Sequence, residues 1–285
     1  MFFVDSFGIT KVLRRDENFA SGKDFIMEKK SVLLTISFLL LLCGAAAVAA
    51  ETEEKKLGVT FDVTYLSRWL SRGTTPYGQQ GAIIETIDVD FYGTGFGFNI
   101  AHRSATESGY VAKERFEYTP YYKSRLFEGT PYLTKYDISA TYKQYPRQSS
   151  DNANTTFEWI FGFSWPEILP RGFVPYYIAH YEYPAPSNDK YRYITGWVHR
   201  FGLGYDLKVA ELPNPLRLSS EIAYTDGLGG AAHDWSYATF GIATRLEITK
   251  NLTFVPGLYE QITMDDSVNK QHDITYCMLS MKYKL

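Results

Sequence analysis

Thr156-Phe157-Glu158-Trp159-Ile160-Phe161-Gly162-Phe163-Ser164-Trp165 sets an aromatic ring at every second position from 157 to 165. Thr156, Glu158, Gly162 and Ser164 stand between the rings. Successive side chains of a β-strand point to opposite faces, so this stretch presents one aromatic face and one polar face. A soluble sandwich would bury the rings, whereas a barrel in lipid would turn them outward. Repetition decides between the two. Val59, Phe61, Val63 and Tyr65 alternate with Thr60, Asp62 and Thr64, and Ile87, Val89 and Phe91 with Thr86, Asp88 and Asp90. Tyr136, Ile138, Ala140 and Tyr142 alternate with Lys135, Asp137, Ser139, Thr141 and Lys143. No 3.6-residue period interrupts the pattern after Ala50.

Working outward, the alternation predicts twelve strands, at about 58–69, 82–92, 96–104, 114–124, 132–145, 155–165, 173–183, 191–207, 216–225, 235–246, 252–261 and 272–285. Most are long enough to cross a bilayer at a tilt. The expected fold is all-β, a transmembrane antiparallel barrel. The connections fall into two sets. Ser71–Gln80, Ala105–Lys113, Pro146–Asn154, Pro184–Lys190, Asp226–Asp234 and Met264–Gln271 read as outer loops. Gly93–Gly95, Arg125–Pro131, Pro166–Gly172, Lys208–Pro215 and Arg245–Asn251 read as inner turns. Composition agrees: 16% of residues are aromatic, and such rings concentrate where a barrel meets the lipid–water interfaces. A mean hydropathy of -0.23 excludes a bundle of membrane helices, and a net charge of -3 argues against a nucleic-acid partner.

The N-terminal fifty residues read differently. Met27-Glu28-Lys29-Lys30 is a basic start, Ser31–Leu42 an apolar run, and Gly44–Ala50 a small-residue cleavage region. Residues 27–50 are therefore expected to be a signal peptide cut after Ala49 or Ala50, residues 1–26 a mis-assigned upstream extension, and 51–285 the barrel. Removing Met1–Ala50 takes six basic and five acidic residues and leaves a net charge of -4. Cys277 is then the only cysteine, so no disulfide closes within the mature chain. At the other end, Leu279, Met281, Tyr283 and Leu285 alternate up to the carboxyl terminus, the form in which barrels present themselves to the outer-membrane assembly machinery.

Tyr65-Leu66-Ser67-Arg68-Trp69-Leu70-Ser71-Arg72-Gly73, followed by a polar loop and Ala82–Tyr92, resembles the opening of the TorF-type porins. In that family Ile follows the Arg-Gly pair, and here it is Thr74. The resemblance covers about fifty residues and implies a channel-like barrel in a bacterial outer membrane, in contact with lipid and lipopolysaccharide, with the solute undefined.

Sites of chemistry are sparse. Gly93, Gly95 and Gly97 lack the spacing and the following helix of a dinucleotide loop and read as a turn. The five histidines show no metal-ligand spacing, and no cofactor or metal is expected. A phospholipase-type site is conceivable only around His233-Asp234-Trp235-Ser236. The inward faces hold more. Parity places Asp62, Asp88, Asp90, Glu117, Asp137, Glu158 and Glu221 inside, with Arg103, Lys135, Lys143, Arg245, Lys282 and Lys284. Seven acids against six bases leave a weak net field along the lumen. Closure sets Lys282 and Lys284 beside Asp62, Asp88 and Asp90, which reads either as a transverse field across an open pore or as a salt-bridged seam. The function expected is passive passage of small solutes, with a closed structural or adhesin-like barrel as the alternative and a membrane enzyme as a third, weaker reading.

Overall fold

The computed structural model describes residues 56–110, 113–147, 155–185, 194–210 and 212–285. The upstream extension and the signal peptide expected from the sequence lie outside the described residues. The strands are β1 (Gly58–Leu66), β2 (Ala82–Asp90), β3 (Phe96–Ala105), β4 (Arg115–Leu126), β5 (Thr134–Gln144), β6 (Thr156–Ser164) and β7 (Phe173–Pro184). They continue as β8 (Gly196–Leu207), β9 (Leu216–Asp226), β10 (Asp234–Thr244), β11 (Leu246–Glu247), β12 (Leu252–Thr263) and β13 (Ile274–Lys284). From β1 to β10, and again from β11 to β13, each pairs antiparallel with its neighbour in sequence, β10 pairs antiparallel with β12, and β1 pairs antiparallel with β13, from Thr60 opposite Lys284 to Leu66 opposite Met278. The sheet therefore closes. β11 continues β10 along β12 in the same register, Ala243 opposite Gly257 and Leu246 opposite Phe254, so the wall has twelve strands. Closure removes every free sheet edge, which lets a sheet stand in lipid without unpaired backbone groups.

The distribution of side chains is inside-out. Nine hydrophobic residues are buried among the described residues, against fifteen polar or charged ones. Meanwhile Phe61, Val63, Phe240, Leu258 and Met281 stand exposed on the outer face. A protein in water would invert both lists. The outer face also carries a run of ring contacts over β3–β10: His102 on Phe116 (4.6 Å), Tyr142 on Phe157 (5.0 Å), Tyr181 on Trp197 (4.7 Å) and Tyr224 on Trp235 (5.4 Å).

Short turns join one end of the barrel, which we call the turn end; both β1 and β13 reach it at Gly58 and Lys284. The Gly93 region is one of these turns, with Tyr92, Gly93 and Gly95 at positive φ and Phe91 N–H bonded to Phe96 O. The opposite end, the loop end, departs from the sequence reading at one place. The first predicted strand, 58–69, stops as β1 at Leu66, and the segment expected as the first outer loop folds into the barrel instead. The physical reason is its own side chains. Trp69 and Tyr77 are 4% and 0% exposed, packed on each other at 4.6 Å with Ala82, and they take the loop inside with them.

Candidate functional site

The inturned segment is a hairpin. Ser71 and Thr74 exchange backbone hydrogen bonds of 2.8 and 3.1 Å, and Arg72 and Gly73 between them have φ of 51° and 84°. Two positive φ angles make this a two-residue turn of the type that favours glycine, and Arg72 accepts a left-handed conformation unusual for a non-glycine residue. Gly73 cannot be replaced without movement, since a Cβ there would lie 2.5 Å from the Tyr237 ring. Its carbonyl accepts from Gln261 Nε2 (2.9 Å) and Asn269 Nδ2 (3.2 Å), both almost fully buried. On the facing wall, the Arg72 guanidinium bonds Glu158 Oε1 at 2.7 Å and pairs with Glu182. The tip thus spans the lumen from β12 to β6 and β7. Its base is held too: Trp69 lies under the guanidinium groups of Arg115 (4.6 Å) and Arg103 (5.6 Å), and Tyr77 Oη donates to Arg103 O (3.0 Å). Burial pushes the Tyr77 phenol up to about 12, so it stays a donor. Among the described residues the buried Nε–H groups of Arg103 and Arg115 find no hydrogen-bond acceptor, and the two guanidinium groups lie over the Trp69 ring.

Around the hairpin the inward charges are paired. Lys143, 3% exposed at its side chain, bridges Glu158 (2.7 Å) and Glu182 (3.2 Å). Glu117 takes Arg103 at 2.8 Å and Arg115 at 2.6 Å. Deeper along the wall, Arg200 meets Glu221 through two bonds of 2.8 Å, and Tyr176 Oη donates to the same carboxylate at 3.0 Å. A bidentate pair of this kind holds both side chains in one geometry. His180 joins the group, at 3.0 Å from Glu158 and 3.3 Å from Arg200.

The thirteen inward candidates are thus placed as follows. Arg103, Glu117, Lys143 and Glu158 meet at the hairpin, and Glu221 lies just beyond it. Asp62 pairs with Lys282 across the seam at 3.0 Å and also accepts from Thr64 and Ser280. Asp88 accepts from Tyr121 Oη (3.1 Å), and Asp90 from Gly93 N–H at the turn (2.6 Å). Lys135 and Asp137 stand on β5 opposite Arg125 and Lys123 of β4. Lys284 stands opposite Thr60 at the rim, and Arg245 falls in the break between β10 and β11, exposed. Neither Lys284 nor Arg245 joins the acidic groups. Parity extended along every strand would also have reached Arg115, Glu182, Arg200, Tyr176, Tyr259 and Tyr276. Arg72 had no such signal, because it belongs to no strand, and Trp69, the last residue of the first predicted strand, lies beyond the end of β1. His233 bonds Asp226 in its own loop, and Ser236 is buried at the β10 bulge.

Three cavities follow the lumen. One of about 420 Å³ opens among the loops and is lined by Trp69, Arg72, Arg115, Tyr145, Glu182 and Leu228. One of about 260 Å³ lies behind the hairpin, with Arg72, Gly73, Arg200, Glu221, Tyr237 and Tyr259 in its wall. Arg72 lines both, so it stands in the partition between them. A third, of about 440 Å³, opens toward the turn end among Lys123, Arg125, Lys135, Asp137 and Tyr176.

No family model matches the chain, and no curated protein does. Among solved structures, the KdgM porin superposes with a TM-score of 0.50 at 10% identity, covering 79% of this chain and 98% of its own. The NanC porin gives 0.46 at 10% identity over 81% and 100%, and an outer-membrane channel from Pseudomonas putida F1 gives 0.46 at 9% over 83% and 100%. What the KdgM likeness establishes is the fold.

Proposed function

We propose that this protein is a bacterial outer-membrane channel for passive passage of small solutes, narrowed by its own first hairpin. The observation that carries the reading is the inside-out wall: exposed aliphatic and aromatic side chains outside, and buried polar groups with three cavities inside. Shared fold with the KdgM porin and the TorF-type opening around Arg72-Gly73 point the same way. In this reading β1 starts from the periplasm, the loop end faces outward among lipopolysaccharide, and the alternating Leu279, Met281, Tyr283 and Leu285 serve the barrel-assembly machinery.

The Arg72 bridge across the lumen favours one other reading, a closed structural barrel. Planar-bilayer recording of the purified chain separates the two. A channel gives discrete, small current steps in molar KCl. A folded barrel that gives no steps at any voltage supports the closed reading and ends the channel one.

A further inference from the structure

The chamber behind the hairpin is built unlike the rest of the lumen. Four tyrosines from four strands, Tyr176, Tyr237, Tyr259 and Tyr276, meet there around the Arg200–Glu221 pair. Tyr259 and Tyr276 stack at 5.2 Å and 15°. Glycines let the rings lie along the wall instead of across the lumen. A Cβ at Gly202 would fall 2.0 Å from the Tyr176 ring, and at Gly241 or Gly257 it would fall 2.4 or 2.7 Å from the Tyr259 ring. Rings seated over missing side chains line the space they surround.

Resting on the channel reading, we propose that this chamber is a stacking subsite for one neutral, polyhydroxylated ring: a single sugar unit of a solute in transit. Three features select that chemistry. The rings offer apolar faces to the C–H face of a pyranose. The polar rim offers both donors and acceptors, from Thr239, Ser219 and the doubly bonded Arg200–Glu221 pair, as hydroxyl groups require. That pair neutralises itself, so an ion gains little there, while an aliphatic solute would strip water from the pair and return nothing. Size agrees as well. At about 260 Å³ the space falls just short of the roughly 300–1,000 Å³ of sites for drug-sized ligands, so it takes one ring and not a folded chain.

Binding is tested on the full-length barrel in lipid nanodiscs by saturation-transfer NMR and calorimetry, with cellobiose as probe. Tetraethylene glycol, which has no ring, and a disaccharide of two uronic acids are the comparisons. Cellobiose should bind, the glycol should not, and the acidic disaccharide should bind no better than cellobiose. Tyr259→Phe should keep the affinity, and Tyr259→Leu should weaken it about fivefold to tenfold. If Tyr259→Leu does not fold, Gly202→Ala, which pushes the Tyr176 ring off the wall, should weaken it in the same sense. No cellobiose binding, equal binding of the glycol, or a tenfold preference for the acidic disaccharide overturns the proposal. Conductance in a bilayer without sugar binding leaves the channel and removes the subsite. Binding without conductance does the reverse.

Discussion

At the loop end of the lumen the charges answer one another; at the turn end several do not. Arg72, Arg103, Arg115 and Lys143 stand against Glu117, Glu158 and Glu182 in one contiguous group, with side chains 3–23% exposed. Toward the turns, Arg125 and Lys135 form no ion pair with any described residue, and Lys282, paired with Asp62, remains 47% exposed. The same two-residue alternation built both ends. What separates them is the hairpin, which packs against one group and buries it. Where water is excluded, an unpaired charge is costly and pairing is enforced; where water enters, charges stand alone and shape the field that a passing solute meets.

That contrast can be broken in order of expected effect. Lys143→Met leaves two buried carboxylates sharing one guanidinium, Arg72, beside the His180 ring on Glu158 and the Thr156 hydroxyl on Glu182. It should cost about 3–5 kcal/mol of barrel stability, as breaking a buried pair does, read from urea unfolding in lipid. A loss below about 1 kcal/mol would mean the cluster is wetter than its burial indicates. Arg125→Gln combined with Lys135→Gln should leave stability within about 1 kcal/mol, since neither group is paired, yet move the reversal potential in a KCl gradient toward cations. An unchanged reversal potential would show that the turn end does not face the ion path. Asp62→Asn at the seam should be the mildest, at most about 1 kcal/mol, because its partner is half exposed. A larger loss would make the Asp62–Lys282 pair the lock that closes the barrel, and with it the sealed-seam reading of the inward charges.

How much of this the sequence carried follows from what each part depends on. The walls depend on local alternation, and Phe157, Trp159, Phe161 and Phe163 against Thr156 and Glu158 carry it within ten residues. Strand positions followed to within a few residues at most ends, and the break at Arg245 cost β10 only its continuity. The hairpin depends on contacts far apart in sequence, Arg72 with Glu158 and Gly73 with Gln261, and no period encodes those. The residues that would have raised the question were present: Trp69 at the end of the first predicted strand and Tyr77 in the predicted outer loop, two large rings on either side of an Arg-Gly pair suited to a tight turn. Pairing within the lumen was hidden for a related reason. Parity says which side a charge faces, not how far along the barrel it sits, so Arg200 and Glu221 could be put inside but not put together.

The central claim is that the hairpin, not the wall, sets the bore. Replacing Leu70–Tyr77 with a short Gly-Ser turn leaves every strand pair of β1 and β2 intact and removes the Arg72 bridge. Single-channel conductance of this variant in a planar bilayer should rise severalfold over that of the intact chain, with longer-lived and less noisy open states. Equal conductance for the two barrels, both folded, would contradict the account, since the bore would then be set elsewhere.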